Sequence, residues 1–327
     1  MVHVTQTGGI QSRRTLLLAA LGSPLLAASA WLAPAVGAQE SDGAAARALV
    51  PEAIGPLLDL YPAGALHVVG KERFALGVVD PETGPIEDAT IDLLVFTVVG
   101  NQGTLTETLS PEFFPYGARE HRREDMDGHE ADHDGEVTGI YVARPTFDKP
   151  GPWGVVARVT LPDGVVRTGQ ADFTVEAETE VPGPGDAAVP SKTIVATTPE
   201  DIAAICTADP VDSMHDLSLD AAVANGKPTV VLFATPALCT SRVCGPSLEA
   251  LQELKSRYGD RANFIHVEIF PERDYEKPAA AVEEWHLPSE PWLFLIDSAG
   301  TVVERYEGGI GLTELDPAVM QLVENAG

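Results

Sequence analysis

Two patterns of hydrophobic and polar positions divide this chain. From 61 to 177, short segments alternate between apolar and polar residues, so that Val155, Ala157 and Val159 share one face of a predicted strand. Several such segments, separated by turn residues, predict an antiparallel β-sandwich. From 206 to 327, apolar runs of strand length alternate with segments of helical spacing, which predicts an α/β fold.

The connecting segments complete this organisation. The Ala-rich stretch 39–60 has some helical character and is interpreted as a lead-in to the sandwich. The stretch 178–205 contains V-P-G-P-G-D-A-A-V-P, and its proline and glycine content predicts an extended linker. Within the sandwich, we expect four residues to share one face of a strand: Ile91, Leu93, Val95 and Val99.

The C-terminal part has a definite predicted order of elements. They are a helix at 218–225, a strand at 229–233, a helix at 247–258, a strand at 264–270, a helix at 278–285, strands at 292–296 and 301–306, and a helix at 312–325. The turn at 234–246 therefore joins a buried strand to the start of a helix.

The N-terminal segment has the features of an export signal. Residues 1–38 contain no Asp or Glu, and they combine Arg13 and Arg14 with an apolar stretch and a final V-G-A. The paired arginines after Ser12 resemble a twin-arginine signal, which implies an extracytoplasmic location. We expect cleavage after Ala38, with an uncleaved membrane anchor as the alternative.

Acidic residues dominate the charge of the chain. It has 49 Asp and Glu against 21 Lys and Arg, a formal net charge of −28 at pH 7. Such a surface repels nucleic acid and anionic lipid, so neither is expected as a partner. After the signal, no segment is apolar enough to predict a membrane span.

Three cysteines are candidates for chemistry: Cys206, Cys239 and Cys244. Outside the cytoplasm disulfides persist, and an odd number leaves at least one thiol free or paired with another molecule. Cys239 and Cys244 fall in the turn before a helix, whose N-terminus lowers the pKa of a thiol. Cys206 lies outside the predicted fold and is interpreted as a spare thiol, with a relay to the other two as the alternative.

Local motifs in each part resemble known families. The stretch from Tyr141 to Trp153, with F-D-K-P-G-P-W at its end, resembles the end of small bacterial immunoglobulin-like domains of exported proteins. In the C-terminal part, three features together resemble the thioredoxin fold. They are the strand–thiol–helix unit, Pro291 in L-P-S-E-P-W directly before a strand, and the hairpin L-F-L-I-D-S-A-G-T-V-V with its final helix.

The thioredoxin resemblance implies an arrangement of the site. Pro291 would be a cis proline that faces the cysteines, and Glu290 and Pro291 would bind the backbone of a substrate protein. A Cys239–Cys244 disulfide would form and break during the reaction. The expected domains are an immunoglobulin-like sandwich at 61–177 and a thioredoxin-like domain at 206–327.

The spacing of the two cysteines departs from thioredoxins. Four residues separate Cys239 from Cys244, in C-T-S-R-V-C, where thioredoxins have two. The tetrapeptide C-G-P-S at 244–247 looks like the usual C-G-P-C with its second cysteine replaced. This favours Cys244 as the low-pKa nucleophile. In the alternative, Cys239 attacks and Cys244 resolves. Arg242 either stabilises a thiolate or is a solvated loop charge.

These features predict an exported thiol–disulfide oxidoreductase. It would act on the thiols or disulfides of exported proteins through a mixed disulfide and would need no cofactor. Walker-type loops, G-x-S-x-G and H-E-x-x-H are absent from the sequence, so nucleotide and hydrolase chemistry lack support. One alternative is a non-enzymatic interaction module in which the Cys239–Cys244 disulfide is a fixed staple.

A copper-binding protein of the same superfamily is the other alternative. The cysteine spacing is similar to that of copper-delivery proteins for cytochrome oxidase, and also to peroxidases of this superfamily. Copper would take Cys239, Cys244 and an imidazole. His286 is the preferred candidate, because it lies close to the turn at Pro291; the alternative for His286 is a structural role, and His266 is interpreted as a core or edge residue. The segment 119–136 is either a solvated acidic loop or a second copper site through four residues: His121, Met126, His129 and His133.

Overall fold

The computed structural model describes residues 44–87, 89–100, 102–116, 138–239 and 241–326. The predicted signal segment therefore lies outside the described residues. So does the acidic segment with the four candidate copper ligands His121, Met126, His129 and His133. None of the helices in the described ranges is long and apolar enough to cross a membrane.

The N-terminal part, here called the β region, consists almost entirely of strands. Its elements are α1 (Ala44–Leu49), β1 (Leu58–Pro62), β2 (Gly70–Lys71), β3 (Phe74–Asp80), β4 (Gly84–Pro85), β5 (Thr90–Val99), β6 (Gln102–Leu109), β7 (Glu112–Pro115), β8 (Gly139–Ala143), β9 (Thr146–Phe147), β10 (Gly151–Thr160) and β11 (Val166–Val175).

A curled nine-stranded sheet forms most of the β region, and β2 and β9 pair in a separate two-stranded sheet. The strands of the curled sheet follow the order β6-β5-β10-β11-β1-β3-β8-β7, with β4 paired to β3. Neighbours in this sheet are antiparallel except β1 and β11, which are parallel. Because apolar residues alternate along β3, β5 and β10, one face of each strand joins a common core around the fully buried Trp153.

The expected core face of β5 is confirmed for three of four residues. Ile91, Leu93 and Val95 are buried in this core, whereas Val99 is 78% exposed. The pairing of β5 with β6 shifts register between Val95 and Phe96. The extra residue of this bulge lies in β6, and β5 keeps a regular register with β10 through Thr97, so the alternation of faces along β5 is unbroken. Val99 is exposed because it is the last residue of β5, directly before the turn at Gly100.

The sheet begins earlier in the chain than the sequence pattern indicated. The stretch interpreted as a lead-in does contain α1, but Leu58 and Leu60 belong to β1 and are buried. Strand β1 lies in the middle of the curled sheet between β11 and β3. The apolar–polar alternation is too short there, five residues in all, to stand out against the Ala-rich context.

The C-terminal part, here called the α/β region, alternates helices and strands. Its elements are α2 (Pro199–Ile205), α3 (Leu219–Ala224), β12 (Thr229–Ala234), α4 (Cys244–Tyr258), β13 (Asn263–Glu268), α5 (Ala280–Glu284), β14 (Trp292–Ile296), β15 (Val302–Glu307) and α6 (Leu312–Glu324). The order predicted for the stretch from 218 onward is confirmed. Helix α4, however, begins at Cys244 rather than at Ser247.

A four-stranded sheet with helices on both faces organises the α/β region. Its order is β13-β12-β14-β15, with β13 parallel to β12 and the other pairs antiparallel. Helices α4 and α6 cover one face, and residues of α3 and α5 cover the other around the fully buried Trp285. All six residues of β12 are buried, as expected for a central strand covered on both faces.

The segment predicted as an extended linker packs against the α/β region. Val181 and Ala188 are buried in the cluster around Trp285, and Ala187 pairs with Thr301 in an antiparallel bridge. The segment then ends in α2. Its apolar residues therefore hold it along β15, because they would be exposed to water if the segment extended freely.

The β region and the α/β region belong to one compact unit. The side chain of Arg73, from the β region, is buried at their junction. It pairs with Glu314 at 2.7 Å and donates to the carbonyl groups of Glu307 and Gly309. Val243, just before α4, packs against Ile140 and other apolar residues of the β region. The β region thus contacts the loop that carries the two cysteines.

Candidate functional site

Cys239 and Cys244 lie where the central strand gives way to a helix. Strand β12 ends at Ala234, and the chain turns back through Cys239 before α4 begins at Cys244. The turn is held by a hydrogen bond from the Arg242 N–H to the Cys239 carbonyl, and Arg242 adopts a left-handed conformation at φ 59°. Both cysteines are free thiols in this structure.

Burial differs between the two thiols. Cys239 is 9% exposed and Cys244 is completely buried in the core beneath α4. The hydroxyl of Ser241 lies 3.2 Å from the Cys239 sulfur. A reagent that enters this turn therefore meets Cys239 before Cys244.

The electrostatic order of the thiols is the reverse of the sequence-based prediction. A hydrogen bond from the Cys244 thiol, with further bonds from Ser241 and from the N–H groups of Val243 and Cys244, lowers the pKa of Cys239 to about 6. Burial raises the pKa of Cys244 well above its usual value, and the neighbouring Cys239 raises it further. These directions favour the alternative assignment from the sequence, in which Cys239 attacks and Cys244 resolves.

Ser247 is the residue that the resemblance to thioredoxins aligned with their second cysteine. Its buried hydroxyl donates to the carbonyl of Val243 at 2.8 Å and accepts from the N–H of Ile310 at 3.2 Å. The first bond closes the first turn of α4, and the second ties this helix start to the segment before α6. The hydroxyl thus serves packing of the helix start.

Glu290 brings a carboxyl group to the two thiols. The Glu290–Pro291 peptide bond is cis, as the resemblance implied. A ligand atom of Glu290 lies within 4.8 Å of both sulfurs, and we call Cys239, Cys244 and Glu290 the thiol cluster. Burial, together with the charges of Cys239 and Glu268, raises the pKa of Glu290 to about 8. This carboxyl group therefore holds a proton near neutral pH.

Two other residues named from the sequence lie away from the sulfurs. His286 is exposed, and its nearest charged neighbour is Glu180, whose carboxylate lies 3.7 Å from its Nδ1. His286 is not in the thiol cluster, so Glu290 stands where the copper interpretation placed an imidazole. The side chain of Arg242 is exposed at the surface of the turn.

A second group of four side chains surrounds the remaining cysteine. We call it the imidazole cluster: Cys206, Asp212, His215 and His266. All four residues are buried, and Asp212 Oδ2 lies 3.3 Å from Cys206 Sγ, 3.2 Å from His215 Nε2 and 2.7 Å from His266 Nδ1. Sequence reasoning missed this group, since it treated Cys206 as spare and His266 as core, and did not consider His215.

Hydrogen bonds fix the charges inside the imidazole cluster. Burial acts to raise the pKa of Asp212, yet hydrogen bonds from the two histidines lower it well below its usual range. Burial likewise opposes charge on His266, but its bond with Asp212 raises its pKa to about 10. Burial acts to raise the pKa of Cys206, while hydrogen bonds from His215 and His266 bring it down to about 7.

An apolar cavity adjoins the thiol-bearing turn. It has a volume of about 350 Å³ and lies between that turn and the β region. Its lining includes Ser241 and Val243 of the turn, with Tyr61, Ile86 and Phe113 from the β region. An apolar side chain of a bound polypeptide would fit this space beside the turn that carries Cys239.

No protein-family model and no curated protein matches the sequence. Among solved structures, this chain is similar over 42% of its length to a thioredoxin-family thiol:disulfide interchange protein from Chlorobium tepidum TLS, which it covers to 99% with 17% identity and a TM-score of 0.26. Over 38% of its length it is similar to CopC from Methylosinus trichosporium OB3b, covered to 95% with 18% identity and a TM-score of 0.21.

A third solved structure is the soluble domain of PmoD from Methylocystis sp. ATCC 49242. It is covered to 75% by 34% of this chain, with 13% identity and a TM-score of 0.20. Likeness at this level determines neither the fold nor the function of the chain.

Proposed function

We propose that this protein is an extracytoplasmic thiol–disulfide oxidoreductase, in which an immunoglobulin-like β region precedes a thioredoxin-like α/β region. The observation that carries the proposal is the pairing of a low-pKa Cys239 with a buried Cys244 at the start of α4. A thiolate is the attacking species in disulfide exchange, and a pKa near 6 leaves Cys239 mostly ionised at neutral pH.

In the proposed reaction, the Cys239 thiolate attacks a disulfide of an exported protein. A bond forms between Cys239 and one substrate sulfur, and the other substrate sulfur leaves as a thiolate. Cys244 then loses its proton and attacks Cys239, which releases the second substrate thiolate and leaves a Cys239–Cys244 disulfide. The substrate gains two electrons and the cysteine pair is oxidised; the reverse sequence oxidises a substrate dithiol.

Glu290 supplies the proton acceptor that the second step needs. Cys244 is buried with a raised pKa, so its attack requires a base close to its sulfur. Once the mixed disulfide removes the charge of Cys239, one cause of the raised pKa of Glu290 disappears, and its carboxylate form becomes easier to reach. Pro291, joined to Glu290 by the cis bond, would bind the substrate backbone.

Copper binding is the second candidate, and the composition of the thiol cluster favours it. Two sulfurs and a carboxyl oxygen lie within 4.8 Å of one another, a group that is able to hold a metal ion. Soft thiolate ligands select Cu(I). In this version Glu290 replaces His286 as the third ligand. If the protein binds copper in this way, the reduced protein should retain one Cu(I), and Glu290→Gln should weaken the binding of Cu(I).

Trapping of the mixed disulfide tests the proposed exchange. Cys244→Ser should accumulate a covalent complex between Cys239 and a disulfide-bonded protein such as insulin, because the resolving thiol is missing. Cys239→Ser should form no complex and should lose exchange activity. The proposal fails if neither variant traps a complex, or if Cys239→Ser exchanges disulfides as fast as the wild type.

A further inference from the structure

We propose that the imidazole cluster is a closed, four-ligand site for a divalent cation of the zinc type. It is separate from the thiol cluster and does not depend on the proposed redox function. The four ligand atoms are one thiol sulfur, one carboxylate oxygen and two imidazole nitrogens, all within 4.8 Å of one another. Tetrahedral zinc sites use this number and these kinds of ligands.

The side chains are held in position for a ligand role. His266 donates from Nε2 to the carbonyl of Ala234 at 3.3 Å, which leaves Nδ1 facing the cluster. Asp212 accepts the N–H of Met214 on Oδ1 at 2.8 Å and turns Oδ2 to the cluster. Metal-binding histidines and carboxylates are oriented by outer hydrogen bonds of this kind.

The backbone near each ligand is also fixed. The N–H of His266 donates to the carbonyl of Met214 at 2.9 Å, which ties strand β13 to the segment that carries Asp212 and His215. Arg273 donates to the carbonyl of Cys206 at 3.1 Å. Three separate stretches of chain are therefore brought together before a cation enters.

The charge and the kind of ligand select the cation. When a cation takes the place of the protons on the two imidazoles, a thiolate, a carboxylate and two neutral imidazoles carry two negative charges, which one divalent cation neutralises inside the core. Calcium and magnesium prefer six or more oxygen ligands, which this group does not offer. Sulfur and imidazole ligands in a four-coordinate group favour zinc.

A closed site implies a structural role for the cation. All four residues are at most 4% exposed, which leaves no open coordination position for a substrate. The cation would cross-link the end of α2, the irregular segment before α3 and strand β13. A cavity of about 170 Å³ adjoins the cluster, and His215 and His266 are among the residues that line it.

Cobalt(II) substitution tests the site in the full-length protein. We use the variant Cys239→Ser/Cys244→Ser, so that Cys206 is the remaining thiol, and add Co²⁺ to the metal-free protein with a phosphine reductant. One equivalent should bind with a thiolate-to-cobalt charge-transfer band and the intense visible bands of tetrahedral coordination. The further change Cys206→Ser should abolish the charge-transfer band, and the matched control His286→Gln should leave it unchanged.

X-ray absorption spectroscopy at the zinc edge measures the ligand distances and needs no further variant. In the same double variant loaded with Zn²⁺, we expect one sulfur at about 2.3 Å and nitrogen or oxygen ligands at about 2.0–2.1 Å. The proposal is overturned if the folded double variant binds neither Co²⁺ nor Zn²⁺ after dialysis. It is also overturned if the charge-transfer band persists in the folded Cys206→Ser protein.

Discussion

The thiol cluster and the imidazole cluster place the same two groups, a cysteine sulfur and a carboxyl group, in opposite electrostatic settings. Glu290 lies beside two sulfurs, and burial raises its pKa to about 8. Asp212 lies between two imidazoles, and their hydrogen bonds lower its pKa despite its burial. A carboxyl group that holds a proton suits proton transfer, whereas one that stays charged suits a cation.

The largest effect is expected from removal of the charge on Asp212. Asp212→Asn leaves two buried histidines without their shared carboxylate, and breaking a buried charged group of this kind costs about 3–5 kcal/mol. We expect the free energy of unfolding in urea to fall by that amount. The control Asp216→Asn, at an exposed position nearby, should change it by less than about 0.5 kcal/mol. Equal effects of the two changes would show that Asp212 holds no special position.

The next effect concerns the proton acceptor of the thiol cluster. Glu290→Gln should slow resolution of the mixed disulfide about 10²-fold, since a positioned base contributes at least that factor. Formation of the mixed disulfide should continue, because Cys239 is already a thiolate at neutral pH. Quenched-flow kinetics separates the two steps, with Glu249→Gln on the exposed side of α4 as the control. Unchanged resolution in Glu290→Gln would remove Glu290 from the mechanism.

A smaller effect is expected on the pH dependence of stability. The pKa of Glu290 is raised from 4.5 to about 8 in the folded protein, so between these pH values the folded state keeps a proton that the unfolded state releases. The free energy of unfolding therefore falls as the pH rises through this range. Glu290→Gln stays neutral and should escape this loss. Glu290 is partly exposed, and solvent screening reduces the effect of this pKa shift. At pH 8 the free energy of unfolding of the reduced Glu290→Gln variant should therefore exceed that of the reduced wild type by about 1 kcal/mol. The two proteins should be equally stable near pH 4; a constant difference across the range would contradict the assignment.

Sequence reasoning found the thiol cluster because its signals are local. Cys239 and Cys244 fall in one strand–turn–helix unit, and Glu290 precedes a proline directly before a strand. The order of the thiol pKa values was missed, since it depends on burial. Cys244 is enclosed beneath α4, while Val243 next to it packs against the β region.

The imidazole cluster had no comparable signal. Asp212 and His266 are 54 residues apart, and the segment that carries Asp212 and His215 has no regular secondary structure. Hydrophobic periodicity predicts helices and strands, but it does not predict where a segment without regular secondary structure lies in the fold. Periodicity also does not show where a strand leaves the core: Val99 continues the alternation of β5 but lies at its end, and it is 78% exposed.

The central claim is that Cys239 is the ionised, attacking thiol of the pair. Its most direct test is the rate of iodoacetamide alkylation of the reduced protein between pH 4 and pH 10, with the modified cysteine identified by mass spectrometry. We predict that Cys239 is alkylated with a midpoint near pH 6, while Cys244 stays unmodified until the protein unfolds. A midpoint near pH 9, or modification of Cys244 before Cys239, would contradict the claim.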